Sequence, residues 1–495
     1  MDPGIPLIGR VWDIPRSHSY KKFKQWSDAF GPIYQINVFG VNHVWIASDK
    51  IANDLLSKKS LIFSDRPPIN NLDNSKEAPE YLPLLGYNDV WKRQRKFVHG
   101  IMSASGQSHH QNIPLYECKQ YLVELLQNPA DHELISETFT GRVISRLAFG
   151  DDRFDGDLRT HSHALLEAIS PAAKMTNIIP QLKVLPYWLS PWKISERARH
   201  ARERQFFEML YNEVSNDIIR GSQKPSYMST FLQAKAKTGM SDLEGSYTVG
   251  MVGLAGILTT ASAFMTYILA MCLYPEWQKR LQEEVDSVCG DRMPRPDDAP
   301  NMPTLRAVIK EIMRWRPVTP SSIPHESEAD FIYDGYFIPK GSHIHPSQWQ
   351  VSLSCIYGAL AITRDESVYP NPEVYNPARW LDPAFPSYQG PLTKYPTIQN
   401  FTTFGYGRRI CMGMDLVEQE LLVGVGGMAW AFNISKKRDA NGKEIDIPVH
   451  DYTSLLISRP KAFPFDLKTR SAEREDLVWL QYREAVDNGE IKGIK

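Results

Sequence analysis

The sequence predicts a mostly α-helical protein of the α+β kind, carrying small β-sheets whose strands come from distant parts of one chain. Apolar residues recur at helical spacing through much of residues 88–290. Short alternating runs at residues 33–46 and 331–345, punctuated by glycine, read as strands on either side of that helical body. Neither an internal repeat nor a low-complexity linker separates them, so the elements are expected to interleave in a single domain over residues 1–495.

In chain order, the opening MDPGIPLIGR holds Pro3, Gly4 and Pro6 and reads as a rigid connector over residues 1–10, with no signal peptide or anchor ahead of it. Tyr34, Ile36 and Val38 alternate with Ile33, Gln35 and Asn37, and Gly40 marks the turn of a hairpin that ends at Ile46. Residues 88–102 and 116–126 have helical periodicity. Residues 245–275 contain no charge and are long enough to span a bilayer. Gly250, Gly253, Gly256, Thr259, Thr260 and Ser262 within that run, and its polar flanks, favour a buried central helix over a membrane span. In TLRAVIKEIMRWRP, Leu305, Val308, Ile309, Ile312 and Met313 form one apolar stripe, from which Glu311 and Arg314 are displaced. Strands are expected at 331–333, 336–338 and 343–345, with turns at Gly335 and Gly341, then an irregular Pro-rich stretch at 369–396. A glycine-rich cysteine segment leads into another helix, and residues 470–495 form an amphipathic tail helix.

Composition narrows the function. With 42% hydrophobic and 23% charged residues the chain is an ordinary globular protein. A net charge of −1 argues against nucleic acid as a general partner. The five cysteines, Cys118, Cys272, Cys289, Cys355 and Cys411, show no CxxC or Cys/His spacing, which speaks against a disulfide framework or a structural zinc site.

Cys411 stands apart in FTTFGYGRRICMGMDL. Taken alone, a free cysteine is most often a small buried hydrophobe. Here Gly405, Gly407 and Gly413 permit close backbone approach and unusual dihedrals, while Arg408, Arg409 and the start of a following helix are expected to lower the thiol pKa. A thiolate so held is a nucleophile or a metal ligand. No histidine lies near it in sequence to serve as a base, and a single protein thiolate suffices for haem.

Phe404, Gly407, Arg409, Cys411 and Gly413 reproduce F-x-x-G-x-R-x-C-x-G, and the chain resembles the cytochrome P450 superfamily of haem-thiolate monooxygenases, most of all fungal microsomal-type members of secondary metabolism. The resemblance covers nearly the whole chain. It implies a long central helix over haem b, with Cys411 as the axial iron ligand. It matches Glu311 and Arg314 to E-x-x-R, completed by Arg379 into a buried structural triad, where the residues alone suggest a solvated ion pair. Trp91 and Arg95 match W-x-x-x-R and, with Arg409 and His325, would approach the haem propionates. Ala255, Gly256, Thr259 and Thr260 match A-G-x-[DE]-T-T: Gly256 would leave room for a ligand, and Thr259, with Thr260 beside it, would donate to dioxygen. Without the family, those small residues simply allow close packing.

The resemblance further implies that O2 is activated with electrons from NADPH through a cytochrome P450 reductase, with cytochrome b5 as a second donor, to hydroxylate or otherwise oxidise a small apolar metabolite. Val318, Thr319, Ser322, Ile323, Leu258, Leu455 and Leu456 are the expected substrate contacts, and SLLISRPKAFPF the final sheet lining the pocket. Oxidative coupling or desaturation is the alternative outcome, and a haem sensor without turnover the alternative class. Lys92, Arg93, Arg95 and Lys96 with Arg408 are either a solvated face or a docking surface for an acidic reductase. The protein is expected to be monomeric and, with a native anchor, to sit on the cytoplasmic face of the endoplasmic reticulum membrane.

Two departures stand out. Leu258 occupies the position of the usual acid, removing a carboxylate assigned to proton delivery. Between Trp349 and Ala361 lies a surplus, QVSLSCIYGAL, containing Cys355; it is an exposed loop insertion or material retained from an unprocessed message.

Overall fold

The structure, a computed structural model, describes residues 8–10, 13, 26, 29–105, 112–171, 173–348 and 362–494. Strands β1 (Ile33–Val38) and β2 (Val41–Ile46) form the expected hairpin. Its two-residue turn places Phe39 at φ 50° and Gly40 at φ 83°, the left-handed pair that matches strand twist. The strands β3 (His325–Glu326), β4 (Phe331–Tyr333), β5 (Tyr336–Ile338) and β6 (His343–Pro346) follow much later. β6 runs parallel to β2, giving a sheet of order β1-β2-β6-β3, while β4 and β5 form a hairpin of their own.

Between the strand groups lie the longer helices α1 (Asp89–Ser105), α2 (Ile113–Gln127), α3 (His132–Phe149), α4 (Asp155–Ile169), α5 (Pro191–Arg220), α6 (Tyr227–Thr238), α7 (Asp242–Leu273), α8 (Pro275–Cys289) and α9 (Pro303–Trp315). α7 is the central one, 32 residues long. Ser241 caps its start by accepting the Glu244 N–H at 3.2 Å, and Asp242 and Glu244 complement the positive end of the helix. By length and composition α7 could cross a membrane, but 83% of its most apolar window is buried within the fold. It packs against α3, α4 and α5. A Cβ on Gly250 would lie 2.4 Å from the Phe207 ring of α5, so the small residue there allows the two helices to close.

After the Pro-rich stretch come α10 (Met414–Ala431), β7 (Phe432–Lys436), β8 (Phe465–Thr469) and α11 (Ala472–Asp487). The segment SLLISRP is not the strand that the sequence suggested. Residues 455–457 bend inside a Tyr452–Pro460 bridge, and the strand forms later, as β8 antiparallel to β7. Pro460 and Pro464 lack the N–H groups a continuous ladder would require. The tail helix α11 packs on α2 through buried Val478, Tyr482 and Ala485, with a Lys119–Glu490 ion pair at 2.9 Å beyond its end.

Residues 349–361, which include Trp349 and the surplus with Cys355, lie outside the described residues. The chain on either side is joined to itself: Ile362 N–H donates to the Ser347 carbonyl at 2.8 Å.

Candidate active site

The cysteine loop connects the Pro-rich stretch to α10. Cys411 N–H donates to the Phe404 carbonyl at 2.9 Å, and Cys411 Sγ accepts the Gly413 N–H at 3.4 Å. Gly407 sits at φ 56°, where a Cβ would lie 2.1 Å from the Leu56 carbonyl oxygen, so only glycine fits. Gly413 has an ordinary φ of −87°, and its contribution is the N–H aimed at sulfur. Cys411 has accessible surface although protein surrounds it, as expected of a side chain facing an internal cleft.

The thiol does not behave as the sequence suggested. Burial raises its pKa, and the opposing pull of the Gly413 N–H and of Arg95 does not overcome it. The reason is the disposition of the two arginines in the loop. Arg408 is exposed, 5.6 Å from the Tyr87 ring, and Arg409 is turned toward Ser64 and Leu85. A metal ion at the sulfur would supply the missing charge and deprotonate the thiol outright.

Beside the loop lies a cluster of cations. Arg409 donates to the carbonyls of Ser64 and Leu85, both at 2.7 Å, which leaves its Nη1 buried without a partner among the described residues. Arg66, which sequence reasoning missed, donates to Ile323 and Pro324 carbonyls at 2.6 and 2.7 Å. Arg95 Nη2 donates to the Ile410 carbonyl at 2.7 Å. Trp91 is buried with Arg409 4.3 Å and Arg95 5.4 Å from its ring. His325 Nδ1 lies 2.7 Å from the Phe63 carbonyl, which fixes the proton on that nitrogen.

Burial, then Arg66, depresses Arg409 to about 8; burial, then Arg95, depresses Arg66 to about 9. His325 is held well below its ordinary range by burial and by Arg66. Guanidinium keeps its proton, so this cost persists as unfavourable charge energy that anions would relieve. The orphaned Arg409 Nη1 and the surplus of positive charge therefore suit the two carboxylates of a haem, with Cys411 as the thiolate donor.

The third side is α7. Ala255 is exposed and Gly256 and Thr259 are partly so, in a helix that is buried around them. Trp91, Val252 of α7 and Met412 share one apolar cluster, which brings this helix and the cysteine loop together. Thr259 Oγ1 donates to the Ala255 carbonyl at 2.8 Å. Gly256 is partly exposed on this face, and an added Cβ would meet Ile144 of α3 only at 3.4 Å, an ordinary contact. Two expectations need correction. Thr260 is buried away from the open face, and Leu258, 3% exposed, belongs to the core and not to a substrate surface. The turn of about 100° per residue sends 258 and 260 inward when 255 and 259 face out.

Comparison with known proteins agrees with this geometry. The family model described as cytochrome P450 matches residues 1–462. Cytochrome P450 monooxygenase 58 of Postia placenta is 30% identical over 469 residues, 93% of this chain and 86% of that protein. Cytochrome P450 monooxygenase virE of Hypocrea virens is 31% identical, over 96% of this chain and 86% of its own length. The chain belongs to the cytochrome P450 family. A zebrafish cytochrome P450 solved with progesterone has the same fold, with a TM-score of 0.73 at 20% identity over 91% of this chain and 99% of that one. The protein is a cytochrome P450 monooxygenase, a family that carries haem iron.

In this cytochrome P450, Glu311 and Arg314 are both fully buried, not a solvated pair. Arg314 Nε and Nη2 grip Glu311 at 2.8 Å each, and Arg379 Nε reaches Glu311 Oε1 at 3.3 Å. Two further donors escaped sequence reasoning: Trp380 Nε1 at 3.0 Å and the Asn376 N–H at 2.9 Å. Such saturation is what makes an internal carboxylate tolerable. Another missed acid is Glu420 of α10. It is buried, Thr260 is its polar neighbour, and burial pushes its carboxyl up to about 8. Among the described residues, Thr260 Oγ1 makes no hydrogen bond of normal geometry.

An apolar cavity opens beside the cation cluster and shares Ile323 and Pro324 with it, the residues whose carbonyls Arg66 holds. Of the residues expected to contact substrate, Ser322, Ile323, Leu455 and Leu456 line it. Val318 and Thr319 do not line it; their carbonyls accept the N–H groups of Ser458 and Ser322 at 2.8 and 3.0 Å. Ile69, Ile169 and Ile178 also line it, from segments with no motif to flag them.

The basic surface is smaller than the sequence implied. Arg93 is engaged by Glu244 at 2.7 Å through two bonds, and Arg95 turns inward. Lys92, Lys96 and Arg408 remain exposed, Lys92 with Asp89 at 2.9 Å.

Proposed function

We propose that this cytochrome P450 oxidises a small, uncharged, lipophilic metabolite of fungal secondary metabolism, using O2 and electrons from NADPH delivered by a reductase. The observation that carries the reading is the meeting of the Cys411 loop, the anion-seeking Arg66, Arg95 and Arg409, and the open face of α7 at Ala255 and Thr259. Cys411 Sγ would ligate the iron, and the arginines with His325 would hold the propionates. Haem supplies oxygen activation when bound. Thr259 Oγ1 is the hydroxyl on the open face able to pass a proton, and the Glu420 carboxyl retains one behind Thr260 at neutral pH. With Leu258 buried, no acid from its position reaches that face, which favours coupling or desaturation as the second reading.

Lys92, Lys96 and Arg408 form the surface for an acidic reductase. Docking on the cytoplasmic face of the endoplasmic reticulum membrane is supported by exposed Met175, Val184, Trp188 and Ile194, interspersed with Lys174, Lys183 and Lys193. Asn177 and Ile178 of the same segment line the cavity, so substrate would enter from the lipid side.

The reduced-plus-carbon-monoxide difference spectrum tests the centre: the strongly red-shifted thiolate band is expected, and should vanish in Cys411→Ser. Substrate-stimulated NADPH consumption with reductase then separates turnover from sensing. A haem-replete protein without that band would overturn the assignment.

A further inference from the structure

Strand periodicity and register place an unusual group of rings on one wall of the cavity. Residues i and i+2 of a strand share a face, and parallel β2 and β6 pair His43 with His343 and Trp45 with His345. His43 Nδ1 and His345 Nε2 lie 2.9 Å apart, a hydrogen-bond distance. The His343 ring stands edge-on to His43, 5.0 Å away at 75°, and Trp45 stacks on His345 at 4.3 Å. All three imidazoles line the cavity, whose lining contains no Asp, Glu, Lys or Arg among the described residues. Leu84, Ile69 and Leu456 line the same cavity. Of the three histidines, only half-buried His343 has substantial accessible surface.

Burial holds all three rings neutral. His43 and His345 lie well below the ordinary range, each lowered further by the neighbouring rings, with His325 also acting on His345; His343 is brought to about 4, with Lys76 as the second cause. A neutral imidazole carries one donor and one acceptor, the same pair a hydroxyl offers. A hydrocarbon against it would leave that capacity unused, and an ammonium would meet no counter-charge. Sites built to bond a hydroxyl discriminate against analogues that lack one.

We propose that His343, positioned by the His43–His345 pair, is a hydroxyl-binding site that selects an uncharged apolar substrate bearing an alcohol or phenol. The proposal deepens the oxygenase reading above and rests on it for the word substrate.

The test is equilibrium dialysis of the haem-loaded protein at pH 7.5 against three probes of one shape: 2-naphthalenemethanol, 2-methylnaphthalene and 2-naphthylmethylamine. The alcohol should bind about three- to tenfold more tightly than the hydrocarbon, the range of one net hydrogen bond, and the amine most weakly. His343→Phe should abolish the preference while hydrocarbon binding stays within about twofold, and His343→Asn, which keeps a donor and an acceptor, should retain it. Equal binding of alcohol and hydrocarbon by the parent protein, a preference that survives His343→Phe, or tightest binding of the amine would each overturn the proposal. The carbon monoxide spectrum of each variant reports the haem centre separately. Absence of the thiolate band from the haem-replete parent protein, with the alcohol preference intact, would refute the oxygenase reading and leave the binding site standing.

Discussion

Glu420→Gln replaces a buried carboxyl by a neutral side chain of nearly the same size. In the folded protein burial raises this carboxyl from 4.5 to about 8, whereas in the unfolded chain it titrates near its ordinary value. Folding therefore takes up a proton between those pH values, and this group's share of stability is fully present below about 4.5 and lost as pH rises through about 8. At about 1.4 kcal/mol per pH unit, wild type should lose roughly 3 kcal/mol relative to Glu420→Gln between pH 5 and pH 7.5. A chain of 495 residues has an unfolding entropy of about 1 kcal/mol/K, so the difference is about 3 °C in thermal midpoint. The assay is the midpoint of the haem-loaded proteins, read from loss of the Soret band, in closely spaced buffers. The two midpoint curves should cross or converge as pH rises, with the glutamine variant favoured at the alkaline end. Parallel curves would refute the inference that the carboxyl is neutral in the fold.

Two further outcomes follow from the geometry. Glu311→Ala leaves Arg314 and Arg379 without their shared carboxylate in the interior and should cost about 3–5 kcal/mol, measured as a drop in thermal midpoint and in recovered haem protein; Arg314→Lys should fail similarly, because it cannot grip two oxygens at once. Replacing Val184 and Trp188 by serine should release the protein from phosphatidylcholine–phosphatidylserine vesicles in a flotation assay, leaving the carbon monoxide spectrum unchanged; undiminished flotation would remove that surface from the membrane reading.

What could be read in the sequence depended on how far apart the interacting residues lie. The β1–β2 hairpin was legible because both strands and their turn occupy fourteen consecutive residues, 33–46. The cysteine loop was legible because its glycines obey local steric demands, as Gly407 does against Leu56. Glu311 with Arg314 was visible as a spacing, but its burial was not, since α9 is covered on its polar side by Trp380 and the residues around Asn376. Arg66, Glu420 and the histidine wall escaped altogether. Their significance comes from partners roughly 160 to 300 positions away, and periodicity within one strand cannot announce a register with another. The thiol expectation failed for a related reason: proximity in sequence placed Arg408 and Arg409 beside Cys411, while their side chains point elsewhere. In SLLISRP, apolar content resembled a strand, but proline withheld the donors.

The two arginines of the triad have another consequence. Arg314 meets the Pro-rich stretch at the carbonyls of Pro372 and Val374, and Arg379 at those of Pro370 and Asn371. Every amino acid carries that carbonyl. Over evolutionary time the stretch can exchange most of its side chains and still follow the same path, provided two guanidiniums remain to receive it. Mutational tolerance should thus be lopsided, generous along residues 370–374 and close to nil at Arg314 on a distant helix and at Arg379 a few residues further on. Relatives aligned by residue identity would look unrelated across this stretch while their backbones superimpose.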